Sequence, residues 1–424
     1  MPFLTLEDPN ARLKGSRDPL GIQPVWAAFG RHIVKNLTTQ STSVRNFTTF
    51  LLGRYFADEL VETEKVAPEQ ALDVFLRTEQ IAAYARHVGH NVEGAIRGIE
   101  RVRQKCDEFR SRVPIDTGRK GLILSDQKIY GLLGLYSVPA KRSGLIPESG
   151  RGLADPAREF VEREYMSRIG DAHGAIVRAL SRNGTLETRD SNKVYAAFKQ
   201  ILPPRLTAAE RAFYGRYVRD AAVEDDDQQT IQSRARALME QNLDLNEPFL
   251  REDIVALTRQ AERSDPELAE RLTRIAQLEA LIAPAIYLFD HVLTQRERTP
   301  QHVAKYVRKL WGARLPNMTS EFPTLVAEIR SVAGPEVTAQ LVEFQRAISA
   351  RDYKASIDAL FGWNKAVMTG RKAAPWASLS DQGKIDVRFR GSEWGMPERS
   401  QLPTLWHNGY FLDSLKVITA ELAA

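Results

Sequence analysis

The chain has 424 residues, of which 43% are apolar, 27% charged and 8% aromatic. That length exceeds what one hydrophobic core usually serves, so more than one module is expected, and the composition excludes disorder as the main state. Lys+Arg 59 against Asp+Glu 54 leaves a formal charge of +5, too balanced for a histone-like binder but compatible with a local basic face.

Cys106 is the single cysteine. It excludes an intramolecular disulfide, a cysteine-based zinc site and a CxxC redox pair, and it suits a reducing, cytoplasmic compartment. Met1 to Gly21 has no apolar signal core, and no run of 18 apolar residues occurs, so neither export nor a membrane partner is expected.

Pro2, Pro9, Gly15 and Pro19 give the first 20 residues the character of an extended arm. Val25, Phe29, Ile33 and Leu37 recur every fourth residue and predict a helix from about Pro24. TTQSTS interrupts, and Ser43 then caps a helix with Val44, Phe47, Leu51 and Tyr55 on one face. A further helix after Pro68 turns Leu72, Phe75 and Leu76 inward and ends near Gly89. Over 92–111 the apolar face is Val92, Ile96, Ile99, Val102 and Cys106, and Arg97, Arg101 and Lys105, four apart, form a basic stripe on the other side.

Thr207-x-x-Glu210 and Ser264-x-x-Glu267 are capping boxes before helices, and Pro284 is expected to kink or divide the second of these. Glu224–Asp227 is a short acidic run suited to a solvated linker or a helix N-terminus. Gly334-Pro335 opens a helical pair ending near FGWNKAVM. PWASLS and KIDVRFRG flank Asp381-Gln382-Gly383 as a β-hairpin, with Arg388 and Arg390 on one strand face. A closing helix carries Phe411, Leu412 and Leu415. Trp376, Trp394, Trp406, His407, Tyr410 and Phe411 are expected mainly as the core fastening hairpin to helix, with base stacking or partner binding as the alternative. The fold class is mainly α, a multi-module helical protein with a small C-terminal hairpin. Its modules are 1–91, 92–171, 172–330 and 331–424.

In the order of its elements, 92–168 resembles a winged helix-turn-helix. The first helix is 92–111, and Gly121–Leu124 suits a strand. Ser125 caps DQKIYGLLGLY with Ile129, Leu132, Leu133 and Tyr136 buried, Ser137-Val138-Pro139 forms the turn, and Ala140–Ser143 the short third helix. Leu145-Ile146 and Gly152-Leu153 are the wing strands around PESGR, and Asp155-Pro156 opens the next helix. The resemblance implies binding of double-stranded DNA through the third helix and the wing. Arg119, Lys120, Lys128, Lys141, Arg142 and Arg151 face only Asp126 and Glu148 over 119–152, a local charge of six minus two, +4.

No phosphate-binding loop, GxGxxG or GxSxG occurs, His87 and His90 lack companions for a metal site, and Cys106 lies on an apolar face. No cofactor is therefore expected. Arg168 and His173 resemble the arginine–histidine spacing of helical HEPN-type ribonucleases, with Ile169 where a polar residue usually follows the arginine. The function expected is a non-enzymatic, nucleic-acid-associated subunit of a bacterial DNA-processing or phage-defence complex. Its partners are double-stranded DNA and other protein subunits. The alternatives are a scaffold subunit that docks a partner without nucleic acid, and a HEPN-like ribonuclease.

Overall fold

A computed structural model describes residues 18–223, 229–312, 322–392 and 394–424. The N-terminal arm up to residue 17 and the acidic run Glu224–Asp227 lie outside the described residues. The fold is mainly α, with two small antiparallel strand pairs among the described residues. The chain forms two compact units, drawn from Met1–His32 with Leu250–Tyr410, and from Ile33–Phe249 with Phe411–Ala424. The division falls at 32, 249 and 410. Linker composition is a local signal, whereas each unit is assembled from segments far apart in sequence.

In the first unit the N-terminal helix is Ile22–Arg31. It ends six residues before Leu37, and Asp18 rather than Pro24 sets its start: the Ile22 and Gln23 N–H groups donate to its carboxylate at 2.9 and 2.8 Å. The Arg251–Ser264 helix runs through Ser264, and the next helix, Pro266–Val292, is capped instead by Asp265, whose carboxylate accepts from Leu268 N–H at 3.1 Å. Helix continues unbroken past Pro284, a residue buried with Leu281, Ile282 and Leu288, whose packing offsets the lost backbone bond. This helix is long and apolar enough to cross a membrane, but most of its apolar window is buried within the protein.

Gly334, at φ 81°, breaks Val326–Ser349 into the expected pair. The C-terminal hairpin forms as read, Ala377–Leu379 against Ile385–Val387, with Gly383 in the turn at φ 71°. It belongs to the first unit, whereas the closing helix Leu412–Ala423 belongs to the second. Trp376, Trp394 and His407 line a cavity of the first unit, an alternative to the expected fastening core.

The second unit is built on two helices buried nearly all round, Val44–Glu62 and Ala71–His90. Every residue from Val44 to Gly53, and from Val74 to Arg86, is buried. Ser43 begins the first helix, but its capping partner comes from the other end of the chain: Val44 N–H donates to Glu421 at 2.8 Å. Burial on all sides encloses polar groups, and each requires a partner. Arg45 donates from Nη1 and Nη2 to the Glu210 carboxylate, which also accepts Tyr165 OH at 2.8 Å and closes the expected Thr207 capping box by accepting Thr207 N–H at 2.7 Å. Arg86 donates to Asn46, which donates to Tyr136 OH, at 3.1 Å each.

Several elements of the winged order are not formed. The helix after Gly98 begins only at Ile99, because Gly98 adopts φ 77°, a conformation outside the helix. Asp126, not Ser125, caps a short Gln127–Tyr130 turn, and Gly131 separates it from the Leu132–Arg142 helix. Ile129 is exposed. The expected turn at Ser137–Pro139 is absent, since that helix continues through Pro139 with Tyr136 and Ala140 buried on either side. Gly121–Leu124 is no strand. Arg112–Ile115 is, and it pairs with Gly184–Glu187 outside the supposed module. Leu145 and Ala154 share one backbone hydrogen bond of 3.1 Å but no wing strands arise there.

Candidate functional site

The basic residues singled out between 97 and 151 all lie in the second unit, and the structure sorts them into buried, paired and free groups. Arg97 precedes the Ile99–Phe109 helix and shares no face with Arg101 and Lys105. It is half-buried; its Nη1 donates to Gln40 at 3.2 Å, and its Nε is sealed from solvent without a partner. Lys105 is buried and donates to the Lys120 carbonyl, and burial lowers its pKa. The stripe is thus dissolved: only Arg101 is exposed. Lys141 is paired with Glu148 at 2.6 Å, while Arg142 and Arg151 are exposed.

Arg119, Lys120 and Lys128 are exposed, and among the described residues none has a carboxylate partner. They stand on the segment 116–132, beside exposed Ile129 and Tyr130. A loop this long with little regular structure needs its backbone groups satisfied elsewhere. One buried polar face of the Ala71–His90 helix does this. Gln80 receives Asp116 N–H on Oε1 at 3.0 Å and donates from Nε2 to Asp116 O at 2.9 Å, the reciprocal pair a β-strand would supply. Gln127 donates to Leu76 O at 3.0 Å and to Glu79 at 2.9 Å, and accepts Ile123 N–H at 3.3 Å. Glu79 accepts Leu132 N–H at 2.8 Å. Arg77 donates to Asn183, which also accepts Thr117 N–H at 3.3 Å.

Two glycines permit this compaction. A Cβ on Gly121 would lie 2.0 Å from the Asp116 carbonyl oxygen, and one on Gly131 would lie 2.2 Å from that of Gln127. The side chains of Gln80, Glu79 and Gln127 thereby form a mount for the segment that carries the exposed Arg119, Lys120 and Lys128, and exposed cations can engage an anionic backbone.

Glu79 is the electrostatic centre of the mount. Burial raises its carboxyl pKa to about 7, against the hydrogen bonds from Gln127 and Leu132 and the charge of Arg97, which lower it. Arg97 thus lies near enough for its charge to favour the ionised form of Glu79. Glu79, Gln80 and Gln127 carry no local motif. Their signal is indirect: a long helix with apolar residues around its whole circumference has no solvent face, so its polar residues must be buried.

Arg168 and His173 do not converge. Arg168 pairs with Glu164 at 2.9 Å and His173 with Glu59 at 2.8 Å, and the chain turns at Gly170 between them. No group of three metal-ligating side chains gathers among the described residues. Arg388 and Arg390 are exposed in the first unit. No protein-family model, curated protein or solved structure matches the chain.

Proposed function

We propose that the chain is a nucleic-acid-binding subunit without catalysis of its own, which holds the backbone of duplex DNA through Arg119, Lys120 and Lys128. The observation carrying this reading is the mount: three unpaired cations on a loop pinned by buried side chains, where ordering entropy is already spent before a ligand arrives. Arg101, Arg142 and Arg151 add exposed positive charge in the same unit. Contacts of this kind position a protein on a duplex but read no sequence. The setting this reading implies is cytoplasmic, within a bacterial DNA-processing or phage-defence assembly.

Anisotropy titration of labelled duplex DNA tests it. Charge reversal at Arg119, Lys120 and Lys128 is expected to abolish binding at low salt, whereas Lys141→Glu, which removes a cation already paired, costs little. Equal affinity of the triple variant and the wild type overturns the proposal. A second reading, docking of a protein subunit, is favoured by the exposure of Ile129, Tyr130 and Val138. Co-purification of a stable partner free of nucleic acid, lost in Tyr130→Glu, would establish it.

A further inference from the structure

The first unit contains a cavity of about 520 Å³ that the nucleic-acid reading does not use. It is lined by Trp26, Trp376, Trp394, Asp290, His407 and Asn408. That size and mostly apolar wall, with a few polar groups, are the usual marks of a small-molecule site.

The polar groups are fixed by burial and hydrogen bonding. Asp290 projects from the last turns of the Pro266–Val292 helix, and its Oδ1 accepts Ser392 N–H at 2.6 Å. Backbone and helix touch here: a Cβ on Gly391 would lie 2.4 Å from the Asp290 carbonyl oxygen. Among the described residues Oδ2 of Asp290 takes no hydrogen bond, and it is not sealed from solvent. The His407–Asn408 part of the wall is held by Glu279, a fully buried carboxylate that accepts His407 N–H at 2.6 Å, Asn408 N–H and Nδ2 at 3.0 Å each, and Tyr410 OH at 2.8 Å. With Nδ2 committed to Glu279, Asn408 keeps its Oδ1 unclaimed. The His407 ring lies tilted against Trp394, centroids 5.0 Å apart, and Trp394 stands half open at 53% exposure. Burial lowers the His407 pKa, so its ring is neutral at neutral pH.

The unclaimed groups select the ligand class. Both Asp290 Oδ2 and Asn408 Oδ1 are acceptors, and one bears a full negative charge. Trp376 Nε1 is shut off from solvent and offers no donor to an occupant. Asp18 spends its carboxylate on the Ile22 and Gln23 N–H groups, and Arg390 has an interaction of its own. Side-chain donors stand on the wall too, at Gln23, Ser392 and the neutral His407 ring, but they carry no charge, whereas Asp290 does. An anion would meet Asp290. Indole faces carry negative electrostatic potential, so they and Asp290 attract positive charge together.

We infer that this cavity binds an organic cation, an ammonium or alkylated-ammonium head group, with Asp290 as counter-ion and Trp26 and Trp394 as π walls. The cavity is larger than such a head alone, so the ligand extends beyond it as a chain or ring.

All six tryptophans lie in the first unit, so intrinsic fluorescence reports directly on it. The test titrates the full chain with choline and benzyltrimethylammonium, and in parallel with 3,3-dimethylbutan-1-ol, the neutral isostere of choline. Expected is a saturable change with both cations, in the millimolar range or tighter, and at least about tenfold weaker binding of the alcohol. Asp290→Asn keeps the acceptor for Ser392 N–H and is expected to weaken the cations about tenfold while leaving the alcohol unchanged. Trp394→Ala, at an exposed position where folding is not at stake, is expected to weaken the cations as well. Absence of saturable binding by either cation, or equal binding of alcohol and choline, overturns the inference. So does an Asp290→Asn protein, folded by its fluorescence, that binds choline undiminished.

Discussion

Replacing Glu79 by glutamine is expected to remove a pH dependence from the stability of the second unit. The Glu79 carboxyl is raised by burial from 4.5 to about 7 in the folded chain. Between those two values the folded protein holds a proton that the unfolded chain has released, so stability falls as pH rises through the window. Each pH unit costs about 1.4 kcal/mol, and the window of about 2.5 units totals about 3 kcal/mol, fully present as stability below pH 4.5 and lost above about 7. Glutamine is neutral throughout and abolishes the slope. It also offers one acceptor oxygen where Gln127 and Leu132 supply two donors, so the absolute level drops by about 1–3 kcal/mol at low pH. The slope is therefore the readout, not the level.

The assay is urea unfolding at several pH values from 5 to 8, followed by far-UV circular dichroism with tryptophan fluorescence alongside, since fluorescence isolates the first unit. Hydrogen exchange of peptides covering 116–132 reads the same effect locally, because the Leu132 amide bonds directly to Glu79. Stability curves that run parallel for wild type and Glu79→Gln between pH 5 and 7 would refute the reasoning.

Glu210→Ala strands the buried Arg45 charge in the second unit and is expected to cost about 3–5 kcal/mol, read as a lower urea midpoint, with Glu210→Gln milder. Gly121→Ala forces a Cβ against the Asp116 carbonyl and should speed hydrogen exchange over 116–123 while leaving tryptophan fluorescence unchanged. Burial raises the Cys106 thiol to about 11, so at pH 8 only about one molecule in a thousand is thiolate; labelling by a disulfide reagent should be at least tenfold slower than in the urea-unfolded chain.

Local chemistry was legible in the sequence at several places where partners are neighbours, though the caps expected at Ser125 and Ser264 fall one residue later, on Asp126 and Asp265. The Thr207–Glu210 box, the hairpin around Gly383 and the break at Gly334 all depend on residues within a few positions of one another. The basic stripe failed for the opposite reason. Gly98 delays the helix past Arg97, and Lys105 turns inward to a carbonyl 15 residues away. Gln80 and Glu79 lie 36 and 53 residues from the backbone groups they hold, a distance no window of periodicity spans. The Arg119, Lys120 and Lys128 cluster was visible as charge density, but the mount beneath it was not. Nor was the cavity, which joins side chains from residues 26, 290, 376 and 407.

The salt dependence of duplex DNA binding tests the central claim most directly. Each backbone phosphate neutralised contributes about −0.9 to the slope of log affinity against log salt, so three cations account for about −2.7. The wild type is expected to show at least that slope, and a variant with glutamine at Arg119, Lys120 and Lys128 to have it reduced by about that amount. A slope unchanged by the triple substitution would contradict the assignment of the mount as the nucleic-acid-binding surface.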